Sequence, residues 1–257
     1  MKVSVVISVF NGRKYIEAAI DSILAQDMQD FECIVIDDGS NDGTTEILSN
    51  YDDARVRIIS LPVNTNHGVG QNVGIAAAQG EYIAFFDADD VAFPERLSVQ
   101  SRFLDGNPDV KILGARGIRV DLSLDREIDR PAHPTDDAII KARLLLMNGT
   151  SLLHPTTMIR SDFIRENNLW YLPRKMSVDT AFWIKCVAKG VKFHALEQPL
   201  IYKRRHHENV TVLNKSSWEP EKTKIRKIET GGNPSNVIQG TGGPISGLFG
   251  PFSVKKT

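Results

Sequence analysis

What this sequence lacks narrows its class before any motif is read. It has two cysteines, Cys33 and Cys186, in 257 residues. Two distant thiols make neither a disulfide framework nor a zinc-ligand spacing. One lies in an apolar run and the other in a helical pattern, so both read as small buried hydrophobes suited to a reducing compartment. No apolar run is long enough to span a bilayer. The opening stretch, Met1-Lys2-Val3-Ser4-Val5-Val6-Ile7, is too short for a signal sequence and carries no cleavage site. The expectation is a cytoplasmic protein that meets a membrane, if at all, peripherally at its inner face. An excess of charge is missing too: 31 Lys and Arg stand against 32 Asp and Glu. That balance removes the basic field on which nucleic-acid binding depends, and no nucleic-acid partner is expected. The stretch Lys203-Arg204-Arg205 is too short to alter this and reads as a solvated loop.

What is present is an alternation. Val3–Val9 is a β-branched apolar run suited to a strand buried on both faces. After Asn11-Gly12, residues Ile16, Ile20, Ile23 and Leu24 form one helical stripe. Strands follow over 31–36, 56–60, 82–86 and 110–113, and helices over 44–51, 72–78 and from Pro94 onward. Strands alternating with helices over short connections predict an α/β fold, a mostly parallel central sheet with helices on both faces. Past residue 135 the pattern is mixed, with helices over 138–147 and 180–188 and short strands over 156–160, 191–195 and 200–202. From residue 219 to 257 glycine pairs and Gly-Pro steps replace apolar periodicity, which predicts a flexible tail.

Acidic clusters fall at strand ends, where ligands bind in parallel α/β sheets. The first is Asp37-Asp38-Gly39-Ser40-Asn41-Asp42-Gly43-Thr44. Carboxylates repel phosphate, so this is no phosphate cradle. They can accept hydrogen bonds from a pyrimidine base or from ribose hydroxyls, and turn and helix-cap chemistry accounts for the same residues. The second is Asp87-Ala88-Asp89-Asp90, after an aromatic strand. Aspartates so close together tolerate one another best around a cation. Their oxygen ligands suit Mg²⁺ or Mn²⁺, and such an ion can bridge a diphosphate. A solvated acidic loop is the alternative. The third is Asp179, ahead of an amphipathic helix, placed either to take a proton from a hydroxyl or to cap the helix.

In order and spacing these segments resemble glycosyltransferase family 2, inverting enzymes of the GT-A fold. The resemblance rests on the first strand through Asn11, on Asp37-Asp38-Gly39-Ser40, and on Gly80-Glu81-Tyr82-Ile83 with Asp87-Ala88-Asp89-Asp90 and Pro94-Glu95-Arg96-Leu97. It continues through His154-Pro155, the segment from Asp179 to Trp183, and Tyr202 with the basic residues and His206. It covers residues 1–213. It implies one GT-A domain over 1–218, with a donor-binding half over about 1–115 and an acceptor half over about 116–218. It also implies a nucleotide-sugar donor, a saccharide or lipid-linked acceptor and a divalent metal ion, Mn²⁺ or Mg²⁺. Asp38 would bind the base, with Val9, Phe10 and Asn11 lining the nucleotide pocket. Asp87 would contact the ribose or the metal, Asp89 and His206 would hold the metal, and Asp179 would be the general base.

Four positions depart from the family pattern: Val9 where proline is frequent, Gln71 and Lys185 where arginine is, and Val178 where an acid precedes the base. Other readings compete. The run Phe86-Asp87-Ala88-Asp89-Asp90-Val91 also fits an aspartate-nucleophile phosphohydrolase, although there the motif ends the first strand. A non-catalytic nucleotide-sugar-binding protein would tolerate the changes at Gln71 and Val178. The glycines at 68, 70 and 74 come near a dinucleotide-binding fingerprint, but with the wrong spacing.

Overall fold

The computed structural model describes residues 1–146, 151–173 and 178–206. The expected tail over 219–257 and the domain end at 218 lie outside these residues. So do the last residue of the helix expected over 138–147 and the two residues before Val178.

A nine-stranded sheet runs through the molecule. Its first part is β1 (Val3–Val9), β2 (Phe31–Asp37), β3 (Val56–Ser60) and β4 (Tyr82–Asp87), in the spatial order 3-2-1-4 and all parallel. Between them run α1 (Ile16–Leu24), α2 (Thr44–Leu48) and α3 (His67–Ala77). The two-residue period of β1 sends Val6 to one face and Val5, Ile7 and Val9 to the other. Both faces are covered, and β1 and β2 are buried along their whole length. Helix α1 buries Ile16, Ala19, Ile20 and Ile23, one stripe at helical spacing, on the Val5 face. Burying each of these isoleucines contributes roughly 1.5–3 kcal/mol.

Helix α3 covers the opposite face, and its glycines explain how closely. A Cβ on Gly70 would collide with Ser8 Oγ, and one on Gly74 with Val6. These glycines let a helix lie against β1; they are not a dinucleotide fingerprint.

The second part departs from the expected simple alternation. After β5 (Val91–Ala92) and α4 (Arg96–Gly106) the chain forms β6 (Val110–Val120), β7 (Glu127–Asp129) and α5 (Asp137–Leu146). A 3₁₀ turn over His154–Thr156 then enters β8 (Met158–Arg160), followed by α6 (Ser161–Glu166), α7 (Val178–Ala188) and β9 (Lys192–Arg204). Strand β8 is antiparallel to both β4 and β6 and separates them, so β6 does not extend the parallel set. The two short strands expected over 191–195 and 200–202 are one, β9, parallel to β6. Pro199, which cannot donate to a ladder, sits where the register shifts near Arg116. Both cysteines are fully buried, and burial pushes the Cys33 thiol up to about 12. Among the described residues no helix is long and apolar enough to cross a membrane.

Candidate active site

The registers place the acidic clusters on one edge. Val9 pairs with Asp37, and Ser8 with Asp87, so the carboxyl ends of β1, β2 and β4 are level.

In the first cluster the two aspartates have separate jobs. Asp37 accepts hydrogen bonds from the Ser40 amide (3.0 Å) and the Thr45 hydroxyl (2.6 Å), so it ties the turn to α2. Gly39 and Gly43, at φ 76° and 98°, supply the left-handed backbone that the turn needs. Asp38 is buried and faces the loop ahead of α3. It accepts from the Thr65 amide (2.8 Å) and hydroxyl (2.6 Å) and from the Asn66 amide (3.0 Å). The Val9 side chain lies in the core, and only its carbonyl reaches this region, accepting from the Asp38 amide at 2.8 Å. Val9 thus turns its backbone, rather than its side chain, toward Asp38. Phe10 is 47% exposed. Asn11 is also exposed and holds a left-handed φ of 54°.

In the second cluster, carboxylate oxygens of Asp87, Asp89 and Asp90 lie within 4.8 Å of one another. Distant parts of the chain supply the charge that makes this tolerable. Strand β9 pairs with β5, Tyr202 opposite Val91. That pairing delivers the Lys203 ammonium to Asp87 (2.9 Å) and Asp90 (3.3 Å), and the Arg204 amide to Asp90 (3.0 Å). Just beyond β9, His206 Nε2 lies 2.9 Å from Asp89. Burial alone would raise the Asp87 carboxyl, but Lys203, then His154 and His67, hold it well below the usual carboxylate range. Asp90, with no exposed surface, goes the other way: burial, Asp89 and Asp87 push it well up, against the pull of Lys203.

Lys203 and Arg204 are thus not a solvated loop. Their short basic run could not reveal its partners, because those lie more than 110 residues away in sequence. The buried Arg96 is also cationic here: it donates to the Phe85 carbonyl (2.8 Å) and stacks over Phe86.

A third group borders Asp87. The 3₁₀ turn runs beside β4, and its His154 stacks on Phe85 with Nδ1 3.8 Å from Asp87. Its Nε2 pairs with the Tyr171 hydroxyl at 2.9 Å. Burial pushes that hydroxyl well above its ordinary range, and the charge of Asp179 adds to the shift. Asp179 occupies the first turn of α7, where it accepts from the Thr180 amide at 2.8 Å. Val178 packs toward Gly68 at the start of α3, which brings the two helix N-termini together. Asp38, the Asp87–Asp90 turn, His206 and Asp179 therefore gather around one edge, near Lys203, which read as a solvated loop, and near His67, Tyr171 and Thr65, which the motifs did not single out.

Parallel strands that present aspartates at their carboxyl ends, continued by an antiparallel second half, define the GT-A class of fold. The chain belongs to glycosyltransferase family 2: the profile described as Glycosyl transferase family 2 matches residues 4–167. A relative, MJ1057 of Methanocaldococcus jannaschii, described as an uncharacterized glycosyltransferase, is 31% identical over 204 residues, covering 77% of this chain and 69% of its own. The crystal structure of Staphylococcus aureus TarS with UDP superposes with a TM-score of 0.69 at 23% identity, covering 90% of this chain and 65% of that one. The mannosyltransferase PcManGT of Pyrobaculum calidifontis, solved with GDP-Man and Mn²⁺, gives 0.65 at 16% identity, covering 92% and 67%. At those identities the structures establish the shared fold. Family membership, and a motif that ends the fourth strand rather than the first, remove the phosphohydrolase reading.

Proposed function

We propose that this protein is an inverting glycosyltransferase that moves a sugar from a UDP- or dTDP-linked donor to a saccharide or lipid-linked acceptor. It works in cell-envelope polysaccharide biosynthesis, in the cytoplasm or at the inner membrane face. The observation that carries this reading is the convergence of three acidic groups, at Asp38, Asp87–Asp90 and Asp179, on one edge of the sheet. TarS is a poly(ribitol-phosphate) β-N-acetylglucosaminyltransferase, and its UDP complex supports the choice of donor class.

The roles follow from the chemistry of each position. Asp38, with Phe10 and Asn11 at the rim and the Val9 carbonyl below, receives the base. Asp87 would contact the ribose or the metal. Three clustered carboxylate oxygens with an imidazole on Asp89 are a donor set that fits Mn²⁺ or Mg²⁺, held by Asp89, Asp87 and His206. When bound, that ion neutralises charge on the departing diphosphate. Asp179 takes the proton of the acceptor hydroxyl. The freed oxygen bonds to the anomeric carbon from the face opposite the diphosphate, whose bond to that carbon breaks, inverting the centre through an oxocarbenium-like transition state. Residues 1–115 serve the donor and the later part of the domain the acceptor.

Thermal stability against a panel of nucleoside diphosphates and nucleotide sugars, with and without Mn²⁺, tests the reading. A ligand that binds only the native state raises the melting temperature. A shift with one uridine or thymidine nucleotide, present only with metal and lost in Asp89→Ala, is expected. An equal shift in Asp89→Ala would refute the metal assignment. In the same assay Asp179→Asn should keep the donor-induced shift and lose transfer by about 100-fold or more, the range for general-base catalysis starting there. Near-normal transfer by that variant would remove Asp179 as the base, and donor binding without transfer by the wild type would leave a nucleotide-sugar-binding protein.

A further inference from the structure

Asp87 also belongs to a second group of potential ligands, one from each of three elements. His67 opens α3, Asp87 ends β4 and His154 begins the 3₁₀ turn. One ring nitrogen of each histidine and one oxygen of Asp87 lie within 4.8 Å of one another. The two imidazoles meet edge to face, with centroids 5.7 Å apart. Tetrahedral zinc, with ligand bonds of about 2.0–2.1 Å, wants its donors about 3.3 Å apart. The 3.8 Å between His154 Nδ1 and Asp87 Oδ1 is half an ångström or so from that spacing.

Three details distinguish this group from a chance meeting of polar side chains. First, His154 already has the outer partner that metal-bound histidines carry, because its Nε2 pairs with the buried Tyr171 hydroxyl. When that nitrogen donates, Nδ1 holds a lone pair facing a carboxylate, an arrangement that calls for a cation between them. Second, Gln71 has no exposed surface, and its side-chain oxygen has no hydrogen-bond partner. Its amide nitrogen lies 3.3 Å from His67 Nε2, so an unclaimed carboxamide oxygen stands beside the cluster. Third, Lys203 takes the other carboxylate oxygen of Asp87, Oδ2, and leaves Oδ1 to the histidines. His67 itself is exposed, which gives an ion a way in.

We propose that His67, Asp87 and His154 form a second metal site that takes a zinc-class ion. Two imidazoles and one carboxylate suit zinc, whereas the oxygen-rich set around Asp89 suits manganese or magnesium. Asp87 belongs to both groups, which differ in ligand chemistry. The inference goes beyond the transferase reading and does not depend on which donor is used.

The test is metal binding by the full chain after stripping with chelator. Zn²⁺ is followed by calorimetry, and Co²⁺, its spectroscopic substitute, by visible absorption. The wild type should bind Zn²⁺ and show the intense ligand-field bands of tetrahedral Co²⁺. In His67→Ala, Zn²⁺ affinity should fall by at least about 10-fold and the bands should disappear. His67 is exposed at a helix start, so this variant should fold, and its melting curve checks that. Asp89→Ala should retain the bands while losing its Mn²⁺-dependent nucleotide response. A wild type that binds no Zn²⁺, or a His67→Ala variant with unchanged affinity and spectrum, overturns the site. Failure of the Mn²⁺-dependent nucleotide shift in the wild type would count instead against the proposed transferase chemistry.

Discussion

The two acidic turns look alike in sequence and are neutralised in different ways. At Asp37-Asp38 the negative charge is met by neutral donors: amides and hydroxyls of residues 40, 45, 65 and 66. At Asp87–Asp90 it is met by cations and imidazoles from the other end of the domain, Lys203, His154 and His206. Hydrogen bonds from amides suit a carboxylate that must keep one shape. A lysine held between two carboxylates suits a place where positive charge is needed before any ion arrives. The difference teaches that a pair of strand-end aspartates says little until the partners are known.

Three changes would break or sharpen this contrast. Lys203→Met removes a cation from a largely buried pair and leaves Asp90 uncompensated. In chelator its unfolding free energy should fall by about 3 kcal/mol, the lower end of the cost of breaking a buried ion pair. Mn²⁺ should restore part of that loss, seen as a larger Mn²⁺-induced rise in melting temperature than in the wild type. No such difference would mean that lysine and metal do not share the turn. Asp37→Ala should cost about 1–3 kcal/mol by stranding two donors, with the same Mn²⁺-induced rise as the wild type. Denaturant unfolding with and without the ion separates the two variants.

The smallest effect belongs to a third turn, at Asp53. There Arg55 hydrogen-bonds the carboxyl through its side chain and backbone and holds it at about 2. A depressed folded value means stabilisation that is complete above the ordinary value near 4 and lost as pH falls toward 2. Asp53→Asn should therefore flatten the stability curve only below about pH 4. The pair is partly exposed, so the change should stay under about 1 kcal/mol. An unchanged acid limb would place the sensitivity elsewhere.

Sequence patterning revealed the first part of the fold because each of its strands announces itself. β1, β2 and β4 are short segments rich in β-branched or aromatic residues, and α1 shows its buried stripe directly. The second part was harder for a physical reason. Strand β8 is three residues long, and its antiparallel insertion between β4 and β6 depends on pairings that no local pattern encodes. The strands expected over 191–195 and 200–202 are one, because β9 accommodates Pro199 at a register shift. For the site, all the acidic positions were legible, since aspartates at strand ends are conspicuous. Of the groups that face them, the family resemblance names His206 and gives Lys203 no role. Lys203 reads as surface until the β5–β9 pairing is known, and His67 lies ahead of the helix expected from residue 72, where it carries no signal.

The long β9 strand has a consequence for how the protein is made. The acidic turn is complete once residue 90 has been synthesised, but its lysine arrives 113 residues later. Until then a nascent chain holds three crowded aspartates with neither Lys203 nor the Arg204 amide to receive Asp90. The parallel half can collapse around its apolar strands as it emerges. Its ligand-facing edge can settle only after β9 has threaded back beside β5, so the last strand of the described fold finishes the work of the fourth.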